Sequence, residues 1–199
     1  MLPIALDLTG LKTAIIGGGA QAEKRLQMVL DASATHVTVY VPEPSEMSDS
    51  YRQLAGDRLQ ARLPEAAEIA ELALVFAANL TEQDAAYITE TGRAHKVLVN
   101  VEDVKPQCDF HVPAIIRRGA LVIAVSTGGK SPALARRMKD FLSQRFPENW
   151  SRWIEEIGSA RDDWRQQGKG FSDVTRLTNE LIDEKGWLDC QCPLQKQKI

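Results

Sequence analysis

Two stretches of this sequence concentrate residue types that can do chemistry, and both are glycine turns. Gly17-Gly18-Gly19-Ala20-Gln21-Ala22 fits G-x-G-x-x-(G/A). In that pattern Gly17 permits a tight turn, Gly19 lets the backbone approach a pyrophosphate, and Ala22 allows a helix to pack closely on a strand. A helix opening at this point offers unpaired N–H groups and the positive end of its dipole to phosphates. The chemistry is dinucleotide binding, with a merely structural turn as the alternative. The acid that takes a ribose hydroxyl usually closes the second strand. Here that strand ends in Tyr40-Val41-Pro42 and the first acid is Glu43. Glu43 is therefore the candidate, against backbone contacts or a plain solvated charge. No arginine follows the strand at once, which favours NAD over NADP.

The second turn is Ser126-Thr127-Gly128-Gly129-Lys130-Ser131, followed by Pro132. Gly-Lys-Ser invites a nucleotide P-loop, but the first glycine of that motif would fall at Ala124, so the reading fails. An anion-binding turn remains: glycines, hydroxyls, a lysine and a helix N-terminus converge. Ser131 suits the cap of that helix and Pro132 its first position. From Phe110 to Phe146 there are seven basic residues and one acid, Asp140, in a chain whose net charge is -3. A basic segment in an acidic protein points to a polyanionic ligand. Arg117, Lys130 and Arg136 are the candidates for holding it. Arg137, Lys139 and Arg145 read as a solvated helix face, with Leu134, Met138, Phe141 and Leu142 as the buried stripe opposite.

These turns need elements to position them. Lys12–Ile16, Val37–Val41, Leu72–Ala78 and Val97–Val101 read as strands, the third a nearly continuous apolar run of the kind buried on both faces. Ala22, Leu26, Val29 and Leu30 recur on one helical face after the first glycine turn. Thr81 to Gly92 reads as a helix, capped by Thr81 and stopped by Gly92. Strands alternating with helices predict a parallel α/β sheet of Rossmann type over residues 1–109. Residues 110–146 hold two strands about a tight turn at Gly119, then the capped helix. Residues 147–199 are helical. Asp103, just past the last parallel strand, stands at the carboxyl edge where such sheets bind ligands. Glu102 beside it is the other acid that can face a site there, since alternation separates the two only while the strand continues.

Bulk properties narrow the class. With 44% hydrophobic and 26% charged residues the chain is expected to fold rather than stay disordered. The net charge gives no general attraction to nucleic acid. No apolar run reaches membrane-spanning length, and Met1 to Gly10 lacks the basic and hydrophobic regions of a secretory signal. Three cysteines, Cys108, Cys190 and Cys192, are too few and too odd for a disulfide framework. The cytoplasm is the expected location. Cys190-Gln191-Cys192 lacks a second ligand pair, and His36, His95 and His111 are scattered, so no permanent metal site is expected.

One ordered run of motifs resembles a known family. Leu2-Pro3-Ile4, Leu8 and Ile15-Ile16-Gly17-Gly18-Gly19 open it. Asn100-Val101-Glu102-Asp103, Cys108-Asp109-Phe110, Val112-Pro113-Ala114-Ile115-Ile116 and Ser126 through Arg136 continue it. Over roughly residues 1 to 150 this resembles the siroheme synthase family in its precorrin-2 dehydrogenase/ferrochelatase module. The resemblance implies an NAD-binding Rossmann domain, a dimerisation region around the strand pair, and C-terminal helices. It implies a cytoplasmic homodimer that oxidises the tetrapyrrole precorrin-2 to sirohydrochlorin with NAD. In some members ferrous iron is then inserted; among the residues here Asp103 and His111 are the candidate transient ligands, with a packed or surface histidine of an alternating strand as the simpler reading of His111. It makes Asp103 the catalytic residue, and Ala20, Gln21, Pro42 and Glu43 cofactor contacts. The anion-binding turn Ser126 to Ser131, with Arg117 and Arg136, is then the candidate site for the substrate. Glu102 departs from the family's usually apolar neighbour of the aspartate. The methyltransferase module of the larger fused enzymes is expected on another protein. Two other readings remain: an NAD-dependent dehydrogenase of another small anion, and a non-enzymatic NAD-sensing module.

Overall fold

The apolar runs of the first hundred residues become strands buried on both faces. A computed structural model describes residues 2–188, which form two compact units, one ending at Val112 and the other beginning at Pro113. The first unit runs β1 (Thr13–Ile16), α1 (Gly19–Asp31), β2 (Val37–Tyr40), α2 (Asp49–Ala55), β3 (Leu59–Gln60), α3 (Ala66–Ala70), β4 (Leu74–Ala77), α4 (Glu82–Ala94) and β5 (Leu98–Val101). The strands form one parallel sheet in the order β3-β2-β1-β4-β5. This is the expected Rossmann-type sheet, with the ends of the four expected strands shifted by one or two residues and a short edge strand, β3, that was not expected.

Strand alternation divides the core. Ile15, Val39 and Phe76 face one side, where α1 lays down Ala22, Leu26 and Val29. Ala14, Ile16, Val75, Ala77 and Val99 face the other, under Ile69 of α3 and Ala85 and Ile88 of α4. Each buried Val, Leu or Ile among them contributes about 1.5–3 kcal/mol relative to exposure. Register aligns the strand ends: Ile16 lies opposite Tyr40 and Ala77, and Ala77 opposite Val101. Chain order reverses between β1 and β4, which puts a topological switch point at the end of β1.

Two expectations need correction. Thr81 does cap α4, its hydroxyl accepting from the Asp84 amide at 3.1 Å, but the helix runs past Gly92 to Ala94. Gly92 is buried, and a Cβ there would lie 2.6 Å from Val99 Cγ2. The glycine is a packing residue that lets α4 sit on β5, not a stop. The second correction is in the other unit. Leu134, Met138 and Phe141 are 50%, 44% and 55% exposed, and Ala135 is the buried residue of their helix. The strand pair is too small a surface to cover the rest of the stripe.

That second unit opens with an antiparallel pair, β6 (Ala114–Arg118) and β7 (Leu121–Val125). Gly119, at φ +57, takes the first of the two loop positions, as a type II′ hairpin requires. Then follow α5 (Pro132–Arg145), α6 (Trp150–Gln166) and α7 (Phe171–Lys185). Phe146, Trp150, Trp153 and Trp187 pack in a chain with centroid spacings of 5.4, 5.1 and 5.3 Å. Lys185 pairs with Glu156 at 2.6 Å between α7 and α6. Among the described residues no helix is long and apolar enough to cross a membrane. Cys190-Gln191-Cys192 lies outside the described residues.

Candidate functional site: the glycine turn and the carboxyl edge

The turn after β1 is fixed from several directions. The Gly17 amide donates to the Tyr40 carbonyl at 2.8 Å, continuing the β1–β2 ladder. Gly17 then takes φ +115, and a Cβ there would sit 1.8 Å from the Ala78 carbonyl oxygen. Only glycine fits. Tyr51, fully buried on α2, donates its hydroxyl to the Gly17 carbonyl at 3.2 Å. Burial pushes the Tyr51 phenol well up, so it stays a neutral donor. Gly18 is the N-cap of α1 and offers no side chain to the first-turn amides, so these are left for a ligand. Gly19 follows at φ +74, and Ala20 and Gln21 are exposed in that turn. Ala22 is wholly buried. A close-approach backbone, unclaimed amides and the positive helix end fit a dinucleotide pyrophosphate.

Beyond β2 the chain makes a 3-10 turn, Pro44–Glu46. Pro42 is partly buried and Glu43 exposed. The Glu43 carboxylate has no hydrogen bond or ion pair among the described residues. The acid that returns to the glycine turn is Glu46, whose carboxylate accepts from Asn79 Nδ2 at 2.7 Å.

The two acids after β5 have separate fates. Glu102 is partly buried and paired with Arg25 of α1, whose Nε lies 3.2 Å from Oε2 while Nη2 makes a closer contact. Arg25 also stands 6.0 Å from the Phe76 ring centroid. Asp103 is exposed, with φ +61, and its side chain has no partner among the described residues. The Val104 amide donates to the Val101 carbonyl at 3.2 Å, so Asp103 stands at the third position of a tight turn. This turn is anchored by the chain that returns from it. The Asp109 amide donates to the Val99 carbonyl at 2.8 Å, and the Asp109 carboxylate accepts from the Val99 amide and Arg93. Asn100 donates to the Phe110 carbonyl at 2.8 Å, and Phe110 meets Phe76 edge-on at 5.3 Å. Cys108 points its thiol at the Val101 and Val104 carbonyls, and burial pushes its pKa up. The Cys108-Asp109-Phe110 motif is thus a brace for the Asp103 turn. With β4 between β1 and β5, the aligned ends of the outer two stand about 10 Å apart.

In the second unit Ser126 to Ser131 form one loop, Arg136 follows in α5, and Arg117 lies opposite Val122 toward the other end of the strand pair. Thr127 Oγ1 donates to the Ser131 carbonyl at 3.0 Å and accepts from the Ser131 amide at 3.2 Å. The Gly128 amide donates to Ser126 Oγ, and the Lys130 amide to the Thr127 carbonyl. Ser131 caps α5, accepting from the Leu134 amide at 3.3 Å. Gly128 and Gly129 have φ +61 and +76. Arg117, Lys130 and Arg136 are exposed, without a carboxylate partner among the described residues. Arg118 is committed elsewhere, to the Phe146 carbonyl and Glu148. Among the described residues no group of three or more His, Cys, Asp or Glu is arranged to hold a metal ion.

The sequence reading missed Tyr51, Glu46, Asn79 and Arg25. The only signal for any of them was an acid recurring soon after Glu43.

A family model described as "Putative NAD(P)-binding" matches residues 4–114, and one described as "Sirohaem biosynthesis protein central" matches residues 118–145. A siroheme synthase of Methylococcus capsulatus is 34% identical over 165 residues, 83% of this chain and 35% of that protein. One of Pseudoalteromonas translucida is 29% identical over 185 residues, 92% of this chain and 38% of that protein. The chain thus spans little more than a third of the length of these relatives. A solved structure titled "SirC, precorrin-2 dehydrogenase" shares the fold at a TM-score of 0.74 and 24% identity, covering 94% of this chain and 92% of its own. The motif resemblance to siroheme synthases is borne out. With the first model matching more than half of its length, the chain belongs to that NAD(P)-binding family, and a sirohaem-biosynthesis segment follows in its second unit.

Proposed function

We propose that this chain catalyses the NAD-dependent dehydrogenation of precorrin-2 to sirohydrochlorin, with Asp103 as its catalytic residue. The observation that carries the proposal is the state of Asp103. It is an exposed carboxylate, without a partner among the described residues, in a braced left-handed turn at the same sheet edge as the glycine cradle. Backbone in that region costs a non-glycine residue about 1 kcal/mol or more and persists where surroundings enforce it. Names carried by relatives supply the substrate, a polycarboxylate tetrapyrrole.

Gly17 and Gly19 would admit the pyrophosphate to the backbone, with Ala20, Gln21, Pro42 and Glu43 as the further cofactor contacts. NAD⁺, when bound, supplies the hydride acceptor. Asp103 takes the proton that the macrocycle loses as the hydride leaves, directly or through one water, and releases it to solvent. The balance is two electrons and one proton, which bound NAD⁺ would accept as hydride, and a second proton, which passes through Asp103. Arg117, Lys130, Arg136 and the N–H and hydroxyl donors of Ser126 to Ser131 bind substrate carboxylates. The enzyme is proposed as a cytoplasmic homodimer, supported by the exposed Val122, Leu134, Met138 and Phe141 in the segment that the family resemblance assigns to dimerisation. Ferrous iron, where it is inserted at all, is a chelation substrate and not a resident cofactor.

The test is an anaerobic absorbance assay with precorrin-2, the protein and NAD⁺, repeated with ferrous ion added. Sirohydrochlorin should appear only with both protein and NAD⁺. Asp103→Ala should lower kcat by about 10²–10⁴-fold with NADH affinity unchanged. Near-normal turnover would remove the proton role from Asp103. No turnover from folded, NADH-binding protein would favour another anionic substrate or a sensing role.

A further inference from the structure

We propose that Glu46, not Glu43, is the residue that binds the adenosine ribose and makes this chain prefer NAD to NADP. The proposal rests on the dinucleotide reading of the glycine turn and deepens it.

Position is the first argument. The chain leaves β2 and turns through Pro44–Glu46, where the Glu46 amide donates to the Glu43 carbonyl at 3.0 Å. That turn is anchored by Met47, buried beside the core, and by Arg52, which gives its guanidinium to the Pro44 carbonyl. It carries the Glu46 side chain back onto the glycine turn. A Cβ at Gly18 would lie 2.8 Å from both Cβ and Oε2 of Glu46. Gly18 is the position at which the dinucleotide fingerprint tolerates any residue. In this chain it is glycine because a glutamate occupies the space.

The second argument is how the carboxylate is held. Its Oε2 accepts from Asn79 Nδ2 at 2.7 Å. Asn79 follows β4 in the left-handed conformation, φ +56, and its side chain comes within 3.5 Å of where a Gly19 Cβ would stand. Asn79 and Glu46 together flank the glycine turn. The partner is a neutral amide, so Glu46 is oriented without being neutralised, and Oε1 has no hydrogen-bond partner among the described residues.

Charge gives the third argument. A full carboxylate against a pyrophosphate cradle opposes the ligand that cradle is built for, unless it meets a hydrogen-bond donor on the same molecule. A ribose diol supplies two such donors. A 2′-phosphate supplies none and adds negative charge against the same oxygens. Glu43 has no comparable setting: its carboxylate has no partner among the described residues, and it contributes only its carbonyl to the turn.

The experiment measures dissociation constants of NADH and NADPH for the full chain by nicotinamide fluorescence. It compares wild type, Glu46→Gln and Glu43→Gln, with thermal melts as the folding check. Glu46→Asp is the second variant should Glu46→Gln not fold. The wild type should bind NADH at least tenfold more tightly than NADPH. Glu46→Gln should weaken NADH by about tenfold, the loss expected for one charged hydrogen bond, and tighten NADPH. Glu43→Gln should keep the ratio of the two dissociation constants within about twofold of wild type, whatever it does to their common affinity. Retention of the wild-type ratio in Glu46→Gln, or an equal tightening of both cofactors, would overturn the assignment and leave Glu46 as a mere partner of Asn79. Wild-type protein that binds neither cofactor would overturn the dinucleotide reading itself.

Discussion

The two glycine turns look alike in sequence and are built differently. At Gly17–Gly19 the constraints come from far along the chain: the Ala78 carbonyl, the Tyr51 hydroxyl and the Glu46 side chain. At Ser126–Ser131 the hydrogen bonds are all local, Thr127 to Ser131 and Gly128 to Ser126, and a Cβ at Gly128 would meet nothing within 4 Å. The first turn is shaped by the packed sheet before a ligand arrives, as a cofactor cradle must be. The second is shaped by its own hydroxyls, and its charges stand in solvent. A preorganised backbone suits one invariant ligand, while exposed cations suit a polycarboxylate whose groups are spread over a macrocycle.

The sharpest way to break this contrast is to add one methyl group to each turn. Gly17→Ala places a Cβ on a backbone oxygen at a forbidden φ, so either the turn or the β1–β4 edge must move. Unfolding free energy should fall by about 2–4 kcal/mol, with NADH binding lost. Gly128→Ala meets only its own positive φ and should cost about 1 kcal/mol. Urea denaturation of the two variants reads the difference directly. Equal losses would mean that the second turn is as tightly built as the first.

A step down in size tests the charges. Arg25→Ala strands a partly buried Glu102 and should cost about 1–3 kcal/mol. Glu102→Gln in the same background should recover part of it, giving a coupling near 1 kcal/mol in a double-mutant cycle. Lys130→Ala with Arg136→Ala should leave stability within about 0.5 kcal/mol and raise the KM for precorrin-2 instead. A stability loss in that second pair would recast those cations as structural.

The same distinction between local and long-range contacts decides what the sequence could tell. The strands, Thr81, Ser131 and the glycine turn were legible because each is written in a few adjacent residues: apolar runs, a capping hydroxyl, a G-x-G spacing. Gly92 was misread because a helix stop and a packing glycine look identical until Val99 is seen beneath it. The stripe of Leu134, Met138 and Phe141 was misread because periodicity identifies an apolar face but not what covers it. Tyr51, Asn79 and Arg25 were invisible because their partners, Gly17, Glu46 and Glu102, lie 34, 33 and 77 residues away. Glu102 and Asp103 could not be told apart for the same reason, since Arg25 is what separates them.

The smallest predicted effect extends the contrast to ion pairs. Glu68 joins three parts of the first unit. It takes two 2.7 Å bonds from Arg62, one from the Glu65 amide, and a 3.3 Å bond from the Tyr40 hydroxyl. The Arg62 guanidinium, then the Glu65 amide, hold its carboxyl down at about 2. A carboxyl depressed on folding adds stability above its unfolded pKa, near 4.5, and that stability disappears as pH falls through about 2. Because the cluster is partly exposed, solvent screening limits the effect to about 1 kcal/mol. Glu68→Gln should therefore be less stable than wild type at pH 6, with the gap narrowing from pH 4.5 downward. The exposed Arg176–Glu180 pair spans one turn of α7. Glu180→Gln should cost only about 0.2–0.5 kcal/mol at pH 6. Urea midpoints at pH 6 and pH 3 separate the two. If Glu68→Gln keeps a constant deficit down to pH 3, the contribution of Glu68 is packing rather than charge, and the contrast between the units would rest on the glycine turns alone.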